Sequence, residues 1–401
     1  MYTLMDDILI KNVLLFGKKK NVLIKGNRFA SLSAPAGATA RKIIDGKGMA
    51  ILPPFYNTHT HAAMTLLRGY ADDMPLQKWL HEYIWPFEEK LTPALIRKGS
   101  RIAAREMIKS GTVFFSDMYF DIEETIDIVR KYGMRAAIGV TFVESHSKSQ
   151  QAEKLEMLKH WADPSGGRIT LTVAPHAIYT VGPELLQQCS STARDLGLKL
   201  HIHVAETRAE VDDCLRDHGT TPVRYLDKLG VLGPEVIAAH AVHIDEEEAD
   251  ILAARGVTIA HCPCSNQKLA SGTFPYRMVR KAGCRITLGT DGASSNNNLD
   301  MHEEMKFAAL IAKGASGDPQ ILPAAEAMEV ATRNGAEAFG IDAGVIAEGK
   351  LADAILIKLD DESMQPLHHL VSNWVYATNS SIIDTVICDG RILMQHRELS
   401  I

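Results

Sequence analysis

The segment "FYNTHTHAAMTLLRG", residues 55–69, places His59 and His61 on either side of one threonine. On an extended chain, residues i and i+2 face the same side, so the two imidazoles are set to share a cation. Further along, His176 follows "LTVAP", His203 ends "LHIHV", His240 follows "VIAA" and Asp291 follows "ITLGT". A lone histidine is more often a satisfied core or surface residue, but five apolar runs that each end in such a group resist that explanation. Neutral imidazoles with one carboxylate suit zinc, and also ferrous iron. His59, His61, His203 and Asp291 are therefore the expected ligands of one divalent ion, zinc in first place and iron as the alternative. His201 shares a face with His203 by strand parity but lies deeper, so His203 is preferred.

A divalent ion lowers the pKa of bound water to ~7. Asp291 would then serve twice, touching the ion and accepting a proton from that water. Glu206, three residues past His203 in "HVAET", lies beyond the strand end and is the expected proton shuttle. A two-metal site would want a bridging group, often a lysine at a middle strand end. "LTVAPHAIYT" offers none, so one ion is expected.

Something must bring these residues to one rim. Between residues 53 and 346, apolar strand candidates such as "TVFFSDMY", "RAAIGVTFV" and "VTIAHCP" alternate with helical stretches such as "PALIRKGSRIAAREMIKSG" and "PELLQQCSSTARDLG". Such alternation favours a parallel sheet with helical crossovers, and its length suits an eight-stranded barrel, whose site lies at the C-terminal strand ends. Residues 1–52 and 347–401 instead read as short alternating strands with Gly or Asp turns, and are expected to meet as one small β domain. The fold class is thus α/β, a barrel with a β domain built from both termini.

The totals bound the partners. The chain has 401 residues, 46% of them hydrophobic and 23% charged, with a formal net charge of -6. That balance gives no footprint for nucleic acid or an anionic membrane. The run Lys18-Lys19-Lys20 reads as a solvated hairpin turn. No run of ~18 apolar residues is present, and the N-terminus carries its lysines after its apolar part, so no membrane partner and a cytoplasmic location are expected. Six cysteines in a chain of this length do not form a disulfide framework, and Cys262 with Cys264 reads as a structural turn and not a zinc clip.

Taken in order, "NTHTHAAMTLLRG", "HIHVAET", "AAHAVH", "AHCPCSNQKLASG" and "LGTDGASSNNNLDM" resemble the amidohydrolase superfamily. Within it they are similar to the branch of 5-methylthioadenosine/S-adenosylhomocysteine deaminases and chlorotriazine hydrolases. The resemblance implies a metal-dependent (β/α)8 barrel with a β-sandwich from both termini, and a homo-oligomer, dimer or tetramer. It gives Glu206 the proton transfer and His240 the polarisation of the attacking water, and leaves His243 a bystander. It also implies that Trp79 packs on substrate, that Glu88 meets ribose hydroxyls and that His176 meets the purine ring.

One departure bears on the substrate. Family members that take S-adenosylhomocysteine are expected to offer arginines to its carboxylate from the loop after the third strand. Here "GVTFVESHSKSQQAEKLEM" has none, and Lys148 or Lys154 would not reproduce a bidentate fork. The expected activity is hydrolytic deamination of an adenosine-type nucleoside: 5′-methylthioadenosine, adenosine or 5′-deoxyadenosine ahead of S-adenosylhomocysteine. The alternatives are hydrolysis of a triazine, deamination of another heterocycle such as guanine, and a scaffold protein that has lost catalysis.

Overall fold

The computed structural model describes residues 7–163 and 165–400. Among them, eight strands follow one another in chain order and pair in parallel with their neighbours: Phe55–His61, Thr112–Tyr119, Arg135–Phe142, Ile169–Pro175, Lys199–Val204, Val236–His240, Thr258–His261 and Arg285–Leu288. The chain leaves the eighth strand, and Asp291–Gly292 then pairs with Thr60 and His61 of the first. That short pairing closes the ring. Gly289 makes the closure possible, because a Cβ there would stand 2.8 Å from the His59 backbone oxygen.

Every residue of Thr112–Tyr119 and Arg135–Phe142 is buried, as parallel strands covered on both faces must be. The crossover helices carry conventional signals at their ends. Thr92 caps Pro93–Lys109 ahead of a proline in the first turn, and Asp245 with Glu248 forms a reciprocal capping box on Glu246–Ala254.

Both termini contribute to a second sheet. Its path runs Glu398–Leu399, Arg391–Gln395, Ile383–Cys388, Ala354–Lys358, Met49–Leu52, Ile8–Leu15, Lys18–Lys25 and Arg28–Ser31, with Lys42–Asp45 also on Ile8–Leu15. The apolar faces of these strands, among them Ile10, Val22, Ile24, Phe29, Leu356 and Ile387, bury into a core of their own. The three lysines from Lys18 open the return strand of a hairpin, and the turn itself is made by Phe16 and Gly17. The fold is a barrel carrying a small β-sandwich of terminal strands.

The stretch that carries Trp79 and Glu88 is helical but uneven. Leu76–Trp79 and Trp85–Glu88 are α-helical, and Leu80–Ile84 between them is a π-turn. Such bulges shift the face a helix presents, and Pro86 further removes one backbone donor.

Candidate active site

The strand ends deliver their polar residues to one chamber of about 920 Å³, lined by His61, His176, His203, Glu206, His240 and Asp291 among others. Two overlapping groups of donors form at its floor. His59, His61 and Asp291 make one and His59, His203 and His240 the other, with ligand atoms in each group within 4.8 Å of one another. The Asp291 Oδ1 lies 3.3 Å from His59 Nε2 and 3.2 Å from His61 Nε2.

Each imidazole is aimed by what its other nitrogen does. His61 Nδ1–H donates to the Met118 carbonyl at 2.6 Å, and His203 Nδ1–H to the His176 carbonyl at 2.8 Å. Both Nε2 atoms are thereby left with free lone pairs. His59 Nδ1 lies 2.9 Å from His201 Nε2, and His201 Nδ1 lies 3.2 Å from the Ser116 hydroxyl. With His59 donating along that chain, its Nε2 is a lone pair too. That Nε2 is buried and has no hydrogen-bond partner. His201 is thus a support for His59 from deeper in the barrel.

Asp291 is held from three sides. Its Oδ2 accepts from the hydroxyls of Ser265 (2.6 Å) and Ser295 (3.0 Å), and its carbonyl accepts from Thr60 Oγ1 at 2.9 Å. Burial disfavours its charge, but the hydrogen bonds and charges of His59 and His61 outweigh that and keep it well below the carboxylate range. Burial pushes His59 down to about 4 and His176 down to about 3, and lowers His203 well below its ordinary value. His61 goes the other way: burial lowers it, but the Asp291 hydrogen bond and charge outweigh that and raise it to about 9. Neutral imidazoles at His59 and His203 beside an ionised carboxylate are the donor chemistry a divalent ion requires, a cation there would take the place of the His61 proton between Nε2 and Asp291, and His59 Nε2 is an atom such an ion would satisfy. The residues present fit a metal ion.

Above this floor, Glu206 Oε2 lies 3.7 Å from His240 Nε2, and His240 Nδ1 lies 2.8 Å from Asn266 Oδ1. Burial raises the Glu206 carboxyl above its ordinary value, more than the nearby His240 lowers it. The backbone is unusual at just these positions. Ala205, His240, Ala241 and Asp291 all have positive φ, between 48° and 73°. Such backbone costs of order 1–3 kcal/mol per residue and persists where surrounding contacts impose it.

Of the residues read as substrate contacts, all three line the chamber. His176 Nδ1 is engaged with the Thr180 hydroxyl at 2.8 Å, and its ring stands 4.8 Å from that of His203. Trp79 is buried among Ala63, Leu67 and Ile84, and its indole N–H donates to the Ala71 carbonyl at 3.0 Å, so it serves core and chamber wall together. Glu88 is raised by burial, with Tyr119 beside it pulling the other way. The described lining includes five carboxylates, Glu88, Glu89, Glu144, Glu206 and Asp291, and no lysine or arginine. Lys154 lies behind that lining, its Nζ on the Thr141 carbonyl at 2.6 Å and 3.1 Å from His146 Nδ1, and the Lys148 side chain is 85% exposed beside Glu144.

Several participants were not picked out by type or spacing. Ser265 and Asn266 fall in "CPCSNQK", where attention goes to the cysteines, yet Pro263–Lys268 is a short helix that presents both residues to Asp291 and His240. Cys262 and Cys264 are free thiols. The His243 ring bonds the Ser271 carbonyl.

A closed parallel barrel with a histidine and aspartate cluster at its C-terminal rim defines a metal-dependent hydrolase of the barrel type. The chain matches the amidohydrolase family over residues 50–393 and belongs to it. It is similar to a 5-methylthioadenosine/S-adenosylhomocysteine deaminase of Pelotomaculum thermopropionicum, 48% identical over 94% of this chain and 89% of the relative. A 5′-deoxyadenosine deaminase of Methanothermobacter thermautotrophicus is 42% identical over 96% of this chain and 91% of the relative. Among solved structures, an adenosine deaminase from Xanthomonas campestris with bound zinc superposes with a TM-score of 0.91 at 32% identity, covering 98% of this chain and 93% of that one.

Proposed function

We propose that the chain hydrolyses the C6 amino group of small adenosine-type nucleosides, releasing ammonia. The observation that carries this reading is the pair Glu206 and His240, 3.7 Å apart and facing the chamber directly above the donor cluster. A divalent ion held by His59, His61, His203 and Asp291, zinc ahead of iron, supplies the Lewis acidity that makes water nucleophilic near neutral pH. The remaining chemistry belongs to side chains. Asp291 accepts the proton of the attacking water, and His240, fixed by Asn266, orients that water toward the amidine carbon. Glu206, whose burial favours the protonated form, delivers a proton to the adjacent ring nitrogen, so charge does not accumulate on the purine. Asp291 then passes its proton to the departing amine, and as the C6 carbonyl forms the hydroxyl proton returns to Glu206.

Glu88 is assigned to the ribose hydroxyls, His176 to the ring, and Trp79 to the wall against which the nucleoside packs. A chamber with five carboxylates and no cation among its described lining favours neutral substrates over nucleotides and free carboxylates. Methylthio and deoxy substituents at the 5′ position meet that condition. The homocysteine carboxylate does not, since neither Lys148 nor Lys154 lines the chamber. The names carried by the relatives support nucleoside deamination, and no feature of the chamber favours a triazine. Residues 1–52 with 347–401 are proposed as the supporting domain and 53–346 as the catalytic one. A cytoplasmic homo-oligomer completes the reading. Among the described residues, no helix is long and apolar enough to cross a membrane.

The test is ammonia release, with metal content on the same sample, across adenosine, 5′-methylthioadenosine, 5′-deoxyadenosine, S-adenosylhomocysteine, AMP, guanine and a chlorotriazine. Turnover of the small adenosines with weak S-adenosylhomocysteine and AMP is expected. Activity confined to a free base or a triazine would refute the nucleoside assignment.

A further inference from the structure

Glu210 is a buried carboxylate that the reaction scheme leaves unused. It sits in the first turn of helix Arg208–His218, three residues after the capping Thr207. At the equivalent position of two other helices, the side chain bonds the backbone N–H of the capping residue itself. Gln150 does this to Ser147 at 2.9 Å and Glu248 to Asp245 at 3.0 Å. Glu210 reaches past its cap. Its two oxygens accept from the N–H groups of Ala205 (2.9 Å) and Glu206 (2.8 Å), the two residues before Thr207. Helix capping alone does not call for that reach.

The peptide so gripped is the hinge between the two proton-handling groups. Ala205 has φ of 50°, which a side chain disfavours. Its carbonyl accepts from the N–H groups of Val242 (3.1 Å) and His243 (2.9 Å), in the turn that follows His240. That turn is strained as well, with φ of 73° at His240 and 48° at Ala241. One carboxylate therefore holds Glu206 by its own amide, and holds the His240 turn through the Ala205 peptide. Burial deprives Glu210 of water, so these two amides are its described hydrogen-bond partners and a helix N-terminus is its nearest dipole.

We propose that Glu210 is a positioning residue that sets the spacing between Glu206 and His240 by clamping the Ala205 turn. This rests on the reading of Glu206 as the proton shuttle. Replacing one of its oxygens by an amide NH2, as in Glu210→Gln, leaves one of the two backbone N–H groups without an acceptor and frees the turn to relax.

The experiment is a double-mutant cycle on the metal-loaded enzyme with 5′-deoxyadenosine: wild type, Glu206→Gln, Glu210→Gln and the double variant. Each is measured for kcat, KM, metal content and Tm. Glu210→Gln is expected to lower kcat by roughly 10–100-fold, the range for residues that orient a reacting group, with KM, metal content and Tm nearly unchanged. In the Glu206→Gln background the same change is expected to cost no more than about 2-fold, because the group it positions is already gone. Glu248→Gln, the same replacement in an ordinary capping box, is expected to leave kcat at the wild-type value. Additive losses, a loss that follows metal content or Tm, or unchanged kcat in Glu210→Gln would each overturn the proposal. If Glu210→Gln does not accumulate folded, Ala205→Gly removes the steric cost of the positive φ and provides a background in which to repeat the cycle. Full activity in Glu206→Gln would instead bring down the shuttle reading and the proposal with it, whereas an inactive Glu206→Gln beside a fully active Glu210→Gln would bring down the proposal alone.

Discussion

At the N-terminal end of the barrel strands, Arg135 meets Asp353 at 3.1 Å and Asp389 at 2.6 Å, and the Tyr56 hydroxyl donates to Asp353 at 2.7 Å. At the C-terminal end, a cluster of histidines crowds against two carboxylates, and His59 Nε2 makes no well-directed hydrogen bond, with Asp291 Oδ1 3.3 Å away. Both ends bury charge. At the first, cation and anions compensate one another, and the cluster ties the barrel to the terminal sheet. At the second, lone pairs converge on a point that no side chain fills. A buried charge with its bonds made holds the molecule together, and one with a bond left open is built to receive something.

Four substitutions or conditions would sharpen or break that contrast. The largest effect is expected at the rim: Glu206→Gln should lower kcat by roughly 10²–10⁴-fold while metal content and unfolding midpoint stay put. Wild-type turnover in that variant, measured by ammonia release, would remove the shuttle. Arg135→Met is the mirror image. It leaves Asp353 buried without its cation and Asp389 with only Arg168 at 3.9 Å, and should cost about 3–5 kcal/mol in denaturant unfolding, with kcat per folded molecule unchanged. A loss of kcat without a loss of stability would erase the distinction between the two ends.

Ser265→Ala removes the 2.6 Å hydrogen bond to Asp291 Oδ2 and should weaken metal retention by roughly 10-fold or more in a chelator titration. Equal retention would show that Ser295 alone holds the carboxylate. The smallest effect is one of pH. Burial pushes Glu304, which accepts from Asn296 and from the Cys264 N–H, up to about 8. A carboxyl raised in the folded state contributes its stability in full below its ordinary value near 4.5, and loses it as pH rises through 8. Wild-type stability should therefore fall between about pH 5 and pH 8 and level off above that, and Glu304→Gln should flatten the fall. Parallel curves for the two proteins would assign the loss to another group.

Much of this was readable in the chain. Strand and helix alternation pointed to the barrel because parallel strands must be apolar throughout and crossovers must be amphipathic. The histidines and Asp291 declared themselves because each ends an apolar run, where a core residue would be expected. What stayed hidden acts through the backbone. Glu210 works on two amide groups, Ser265 and Asn266 act from a short helix, and Met118 offers only its carbonyl. No residue type signals such roles, since any acid at a helix start reads as a cap and any carbonyl reads as strand. The π-turn at Leu80–Ile84 was hidden for a related reason: it changes the helix phase by one residue without a residue type of its own.

The ring closure through Asp291–Gly292 links assembly to competence. Thr60 and His61 pair with residues more than two hundred positions away, so the last donor reaches the cluster only when the eighth strand has returned beside the first. With the ligands proposed above, metal capture would report on completed folding: a chain stalled with its barrel open would hold the histidines of its early strands but lack the carboxylate that completes them, and would bind the ion weakly. Cells that must discard misassembled copies, and experimenters who must count good ones, have in the bound ion a built-in inspection mark.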